Sequence, residues 1–194
     1  MTVVALVAFL MIIGIVWIMS VVRRTRRSAD TVAAGLHLLE IELDRRRAVI
    51  PDLVRAAVDA EIDRAAVNQL VGARSWSAMM RDRRSELGDR AAAENGLSVA
   101  LHDVVFEGRA SGPTGWDFAA PATELDHIEH RIAGAVRVYN TQASILRSLA
   151  GSPLSRPIVR TLGVRAPDLF AETVDMSGEG PHVPAVRTPQ RATR

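Results

Sequence analysis

Hydrophobic positions open the chain as one unbroken run. Residues Thr2 to Val22 contain no charged side chain, and thirteen of them are Val, Leu, Ile or Phe. As a helix this stretch spans about 31 Å, matching the roughly 30 Å hydrocarbon core of a bilayer. Its apolar residues favour insertion by about 4–8 kcal/mol in sum. A cleaved signal peptide would place basic residues before a shorter run and a small-residue cleavage site after it. Here the run is longer and ends in Arg23, Arg24, Arg26 and Arg27. A buried core helix would show a polar face, which this segment lacks. The pattern therefore predicts a transmembrane anchor over 1–22 and a basic juxtamembrane segment over 23–28. The arginines predict an N-terminus outside and a soluble domain in the cytoplasm, held against anionic headgroups.

Beyond the anchor the period changes to three and four. Val32, Leu36, Leu39 and Leu43 form one face of an amphipathic helix. Arg46 interrupts that stripe, and Pro51 removes a backbone donor, so a kink or a new helix is expected at Pro51. The stripe then continues through Leu53, Val58, Ile62, Val67 and Leu70 toward Met80, and the polar run Arg81 to Arg84 ends it. A third helix is expected from about Asp89 to Glu107, with Leu97, Leu101 and Val104 inward. Gly108 to Pro121 reads as a loop that Trp116 and Phe118 pack down. The clearest helix follows, on Leu125, Ile128, Ile132, Ala135, Tyr139, Ala143 and Leu146, and ends at Pro153 and Pro157. A closing helix on Ile158, Val159, Leu162 and Val164 is expected, with Leu169 and Phe170 docking after it. Residues 171–194, rich in Gly, Pro, Thr and Arg, read as a disordered tail. The fold class predicted is all-α: an N-terminal transmembrane helix followed by an antiparallel bundle of about four helices over 29–170.

Composition narrows the chemistry. The formal net charge is only +2, and every basic side chain other than His is Arg, so the high isoelectric point is no footprint of nucleic acid. Cysteine is absent, which removes disulfides, thiolate metal sites and a lipid-modified N-terminal Cys.

Several segments resemble the LemA family. Leu43-Asp44-Arg45-Arg46-Arg47-Ala48-Val49-Ile50-Pro51-Asp52-Leu53-Val54 is similar to that family's signature, a leucine and basic pair followed by Ile-Pro-Asn-Leu-Val behind a membrane helix. Gly72-Ala73-Arg74 resembles its Ala-Arg pair, and Glu94-Asn95-Gly96-Leu97-Ser98-Val99-Ala100-Leu101 resembles its Glu-Asn-x-Leu-Ser-x-Ala-Leu stretch. Phe118, Leu125, Glu129, Ile132, Ala133, Ala135, Tyr139 and Asn140 fall on the pattern that ends in Tyr-Asn. The likeness covers about residues 30–170. Asp52 replaces the usual Asn, Arg47 replaces a common aromatic, and Val136 replaces the usual Arg. Leu146-Arg147 replaces a second Tyr-Asn, and the Gly/Pro loop replaces a Tyr-Pro-x-Leu-Lys stretch. The resemblance implies a divergent, bacterial, membrane-anchored helical bundle that serves as a scaffold or interaction protein, with no catalytic residue to carry over.

Candidate chemistry is sparse. Glu124 and His127 share a helix face in the Glu-x-x-His spacing of di-iron bundles, with His130 one turn on and His102 on a neighbouring helix. A second Glu-x-x-His is missing, and so are the His-Glu-x-x-His and Gly-x-Ser-x-Gly motifs. A solvated polar face is the simpler reading of the cluster. Arg46 is more telling: on an apolar stripe it needs a carboxylate partner from another helix. The resemblance implies Glu129 on the last long helix as that partner, because both residues fall on the family's pattern. Arg45 stands beside it. Tyr139, also on a stripe, is expected to pack in the core with its hydroxyl tethered, and Asn140 to bond a backbone turn. The expected function is a non-enzymatic, single-pass scaffold. Its expected partners are the lipid bilayer, anionic headgroups and unidentified proteins, with self-association left open and no cofactor or nucleic acid. The alternative is a metal- or small-ligand-binding membrane protein that uses Glu124, His127 and His130.

Overall fold

The computed structural model describes residues 1–83, 85–110 and 116–170, and the described residues hold helices and no strand. The order is α1 (Thr2–Asp59), α2 (Arg64–Asp82), α3 (Leu87–Ala110), α4 (Trp116–Gly151) and α5 (Arg156–Thr161). Among the described residues one helix, α1, is long and apolar enough to cross a membrane. Its 58 residues extend about 87 Å. The first part is apolar on every side, and its large side chains stand exposed. The apolar run and the first helix of the folded part are thus one continuous rod.

A single regularity governs the rest of α1. Its buried positions include Thr25, Ser28, Val32, Gly35, Leu39, Glu42, Arg46, Val49, Leu53 and Ala56. They alternate steps of three and four residues, which is the heptad spacing of helices packed side by side at a shallow angle. α4 answers in the same period with Phe118, Ala122, Leu125, Glu129, Ile132, Val136, Tyr139, Ala143 and Leu146, all buried except Glu129, which is nearly so. As α1 advances from Gly35 through Glu42 to Arg46, its neighbours step back along α4 from Tyr139 through Arg131 to Glu129. Gly35 suits this seam: a Cβ there would come within 3.4 Å of the Tyr139 Cα, so glycine lets the two backbones close.

Two apolar clusters divide the interior. One joins Ile50, Leu53 and Ala57 of α1 to Val67 and Leu70 of α2, Leu97, Leu101 and Val104 of α3, and Phe118 and Leu125 of α4. The other is built mainly by α1 and α4, from Val32, Leu39, Leu43 and Val49 with Ile128, Ile132, Val136, Tyr139 and Leu146, and is closed by Ala91 and Phe170. α2 and α3 therefore cover the half of the seam far from the apolar run. α5 and the segment after it lie along the near half.

The turn positions differ from the sequence expectation in three places. Of the two outcomes expected at Pro51, a kink or a new helix, the new helix does not occur. α1 carries it internally, because Val49, Ile50 and Leu53 are buried on both sides of it and outweigh the one missing donor. The expected continuous stretch to Met80 is instead broken at Ala60–Asp63. Glu61 there adopts φ 57°, and the Asp63 side chain accepts from Ala65 N at 3.1 Å to cap α2. Phe118 and Pro121 are not in a loop but inside α4, whose first turns bury Phe118. Residues 111–115 of the expected loop, the Trp116 side chain and the expected tail over 171–194 lie outside the described residues. Of the two residues expected to dock at the end, Phe170, whose backbone Asn140 holds, is buried, whereas Leu169 is 39% exposed.

Gly108 is held to glycine by packing. A Cβ there would overlap the buried ring of Phe118 and come within 2.9 Å of Ile62 Cδ1. Gly108→Ala should destabilise the domain by about 1–3 kcal/mol, read as a lower melting temperature of the detergent-solubilised chain.

Candidate functional site

The two apolar clusters meet at a charged layer centred on Arg46, which is 1% exposed. Arg46 occupies a heptad position of α1, as Glu129 does of α4, so the regular spacing of both helices brings the two side chains together. Arg46 Nη1 donates to Glu129 Oε1 at 2.8 Å and to Ser98 Oγ at 2.5 Å. Its Nη2 donates to a carboxylate oxygen of Glu94 and, at 3.3 Å, to the Glu94 backbone carbonyl. Arg47 Nη2 donates to the other Glu94 oxygen and to Ser77 Oγ at 3.3 Å. Ser77 Oγ in turn donates to Glu94 Oε1 at 2.7 Å, and Ser98 Oγ to Glu129 Oε2 at 3.4 Å. Two cations and two carboxylates thus neutralise one another, and the six residues come from all four long helices.

The electrostatics follow from this enclosure. Burial pushes the Glu94 carboxyl up, but Arg46 and Arg47 beside it and the Ser77 hydroxyl more than offset that, so its pKa lies below the ordinary 4.5. Partly exposed pairs flank the layer. Both guanidinium nitrogens of Arg81 donate to Asp44, tying α2 to α1, and Arg90 Nη2 donates to Glu40 at 3.0 Å, tying α3 to α1. The hydrogen bond from Arg81 holds the Asp44 carboxyl below its usual range, against a smaller effect of burial. Half a heptad from Arg46, the buried Glu42 accepts from Arg45 at 3.0 Å, and its other oxygen lies 3.2 Å from Arg131 Nε, close enough for an ion pair but without hydrogen-bond geometry.

A second polar device closes the near half. Tyr139 is buried, and its hydroxyl donates to the Asp168 carbonyl at 2.7 Å. Burial, then the Asp168 charge, raises the Tyr139 pKa, so the phenol stays a donor. Asn140 Nδ2 donates to the Phe170 carbonyl at 2.8 Å, and Asn140 Oδ1 accepts from Phe170 N at 2.9 Å. This two-way clasp seats Phe170 in the core.

The remaining expected residues are placed as follows. Leu53, Leu97 and Ile132 are buried, Pro51 is half-buried, and Arg74 is exposed on α2. Arg45 lies at the rim of the layer. Glu124, His127 and His130 are exposed on α4, and His102 is exposed on α3, where its ring stacks on Phe106. Among the described residues no group of three His, Cys, Asp or Glu side chains is placed to hold a metal ion. Arg23, Arg24, Arg26 and Arg27 are exposed just beyond the apolar run. Sequence reasoning does not single out Glu94 and Ser98 as partners of Arg46, nor Arg47 and Ser77 as partners of Glu94. For Glu94 a signal existed: it precedes Leu97 and Leu101 by three and seven residues, so it sits on an apolar stripe as Arg46 does.

What the layer can do is structural. Both oxygens of each carboxylate are engaged by donors, which leaves neither poised as a general acid or base. A buried charge whose partner is deleted costs about 3–5 kcal/mol. Arg46→Ala should therefore lower stability by that amount in thermal or denaturant unfolding of the full chain in detergent. Glu94 also predicts a pH dependence. Its native pKa is depressed, so its contribution is complete above the ordinary 4.5 and is lost as pH falls through the native value. Melting temperature should drop more steeply below that pH in the native chain than in Glu94→Gln.

No family model matches the chain, and no curated protein matches it.

Proposed function

We propose that the protein is a single-pass membrane scaffold whose helical domain presents a fixed outer surface to protein partners and plays no catalytic part. The carrying observation is that α1 is one helix from Thr2 to Asp59. A rod that is apolar through its first 22 residues and heptad-packed thereafter holds the domain at a set height and angle, where a flexible tether would leave it free. The domain reads as an antiparallel four-helix bundle of α1 to α4, with α1 and α4 as its long pair. The arginines after Val22 favour a cytoplasmic domain.

The likeness to the LemA family supports the same reading. Arg46, Glu94, Ser98 and Glu129, from three of the segments that carry the likeness, converge on one buried layer, and Tyr139 and Asn140 from the third form the Phe170 clasp. Residues so scattered in sequence have one shared task here, which is to fix the bundle. The outer surface offers Trp76 on α2 and Phe106 on α3, both largely exposed, as contact points for a partner.

Photo-crosslinking groups at positions 76 and 106 of the full chain, in native membranes, should yield discrete protein adducts. Adduct-free chains at both positions, together with stoichiometric metal lost in His127→Ala/His130→Ala, would replace this reading with the metal-binding one. An impermeant reagent that modifies the domain in intact cells would reverse the orientation.

A further inference from the structure

Charge is segregated along the molecule. From Thr2 to Ala29 there is no acidic residue, and residues 130–167 contain none either. Those two stretches meet in space. The pairing of Gly35 with Tyr139, Glu42 with Arg131 and Arg46 with Glu129 advances one residue on α1 for each residue back on α4. Both helices rise equally, so the register brings the C-terminal end of α4 opposite Arg23. Thr25 is fully buried, which requires cover within one turn of the end of the apolar run. The corner that joins α4 to α5 therefore lies at the level where α1 leaves the membrane.

That corner is built for a charged interface with an apolar interior. Leu154, at its tip, is 70% exposed, the most exposed large apolar side chain among the described residues outside the N-terminal run, and Pro153 precedes it. Ser155 Oγ donates to the Leu149 carbonyl at 2.6 Å and holds the corner rigid. Arg147, Arg156 and Arg160 flank the tip and are exposed, and none forms an ion pair with another described residue. Arg23, Arg24, Arg26 and Arg27 stand in the same condition across the seam.

We propose that the α4–α5 corner is a second membrane contact, with Leu154 inserted among the acyl chains and Arg147, Arg156 and Arg160 on anionic phospholipid headgroups. An exposed leucine with unpaired arginines before and after it in sequence suits a headgroup layer: the leucine reaches the apolar boundary, and the guanidinium forks bind phosphate in pairs of hydrogen bonds. The span and this corner then grip the bilayer at two points, which stops the domain from tilting about α1. The proposal rests on the reading of residues 2–22 as a membrane span.

The test uses the full chain in vesicles. It has no native cysteine, so Leu154→Cys and, as the reference far along α1, Val58→Cys each take a single spin label. In vesicles containing phosphatidylglycerol, the label at 154 should be accessible to oxygen and shielded from an aqueous nickel chelate, and the label at 58 should remain in water. Each arginine at an anionic surface changes the docking equilibrium about fivefold, so Arg147→Gln/Arg156→Gln/Arg160→Gln should lower it on the order of a hundredfold. Pure phosphatidylcholine should release the corner likewise. A label at 154 as water-accessible as that at 58 in anionic vesicles overturns the proposal. Equal shielding in phosphatidylcholine overturns the headgroup assignment. Dipolar broadening between labels on two chains assigns the corner to a second copy and overturns it too. Alkaline extraction of the same vesicles separates the readings: a chain that stays while its label is aqueous refutes the corner alone, and a chain that washes out refutes the span.

Discussion

The buried layer of Arg46, Arg47, Glu94 and Glu129 is the constraint on which the domain depends. A heptad seam of Val, Leu, Ile and Ala can slide by a turn with little change in buried area. A guanidinium in that seam cannot, because any other register strands it among apolar side chains. The α1–α4 seam takes its register at Arg46 and Glu129. The α2–α3 pair takes its place on that seam through Ser77, Glu94 and Ser98. The layer also separates the two apolar clusters, so each is built around it from one side.

That local rule sets the stance of the molecule. Register fixes α4 along α1, and α1 is continuous with the apolar run, so every element of the domain has a set height above the end of that run. The Asn140 clasp then turns the segment after α5 back over the near half. The two halves hold together differently. The far half has a four-helix apolar core, and the near half has a two-helix seam closed by one aromatic residue on two hydrogen bonds. Loss of Asn140 should thus be felt close to the apolar run, whereas loss of Arg46 should be felt throughout.

Much of this was legible in the sequence because it depends on period. The apolar run, the stripe through Leu39 and Leu43, and the long helix through Tyr139 each repeat a spacing. Arg46 stands out because a charge on such a stripe demands a partner; period does not name Glu129, which only the resemblance points to, and the pair forms at 2.8 Å. What period does not report was missed. Pro51 was given too much weight, since one absent donor is small beside the burial of Ile50 and Leu53. The break after Asp59 was invisible because Val58 and Ile62 keep the spacing while the backbone turns at Glu61. Phe118 was assigned to a loop because Gly and Pro precede it, although its own spacing to Leu125 and Ile132 is seven and seven. Glu94 was recognised as part of a resemblance and not as a charge on a stripe.

Arg46 and Glu94 act as one unit across two helices. A double-mutant cycle with Arg46→Met, Glu94→Gln and the double variant, read by denaturant unfolding of the solubilised chain, measures this directly. Each single change breaks the Arg46–Glu94 pair and leaves the remaining charge with one partner fewer, Glu94 on Arg47 or Arg46 on Glu129, and the double change removes both charges of the pair. The account predicts a coupling of about 2–3 kcal/mol, with the double variant far more stable than the sum of single losses implies. Losses that add to within about 0.5 kcal/mol would contradict it.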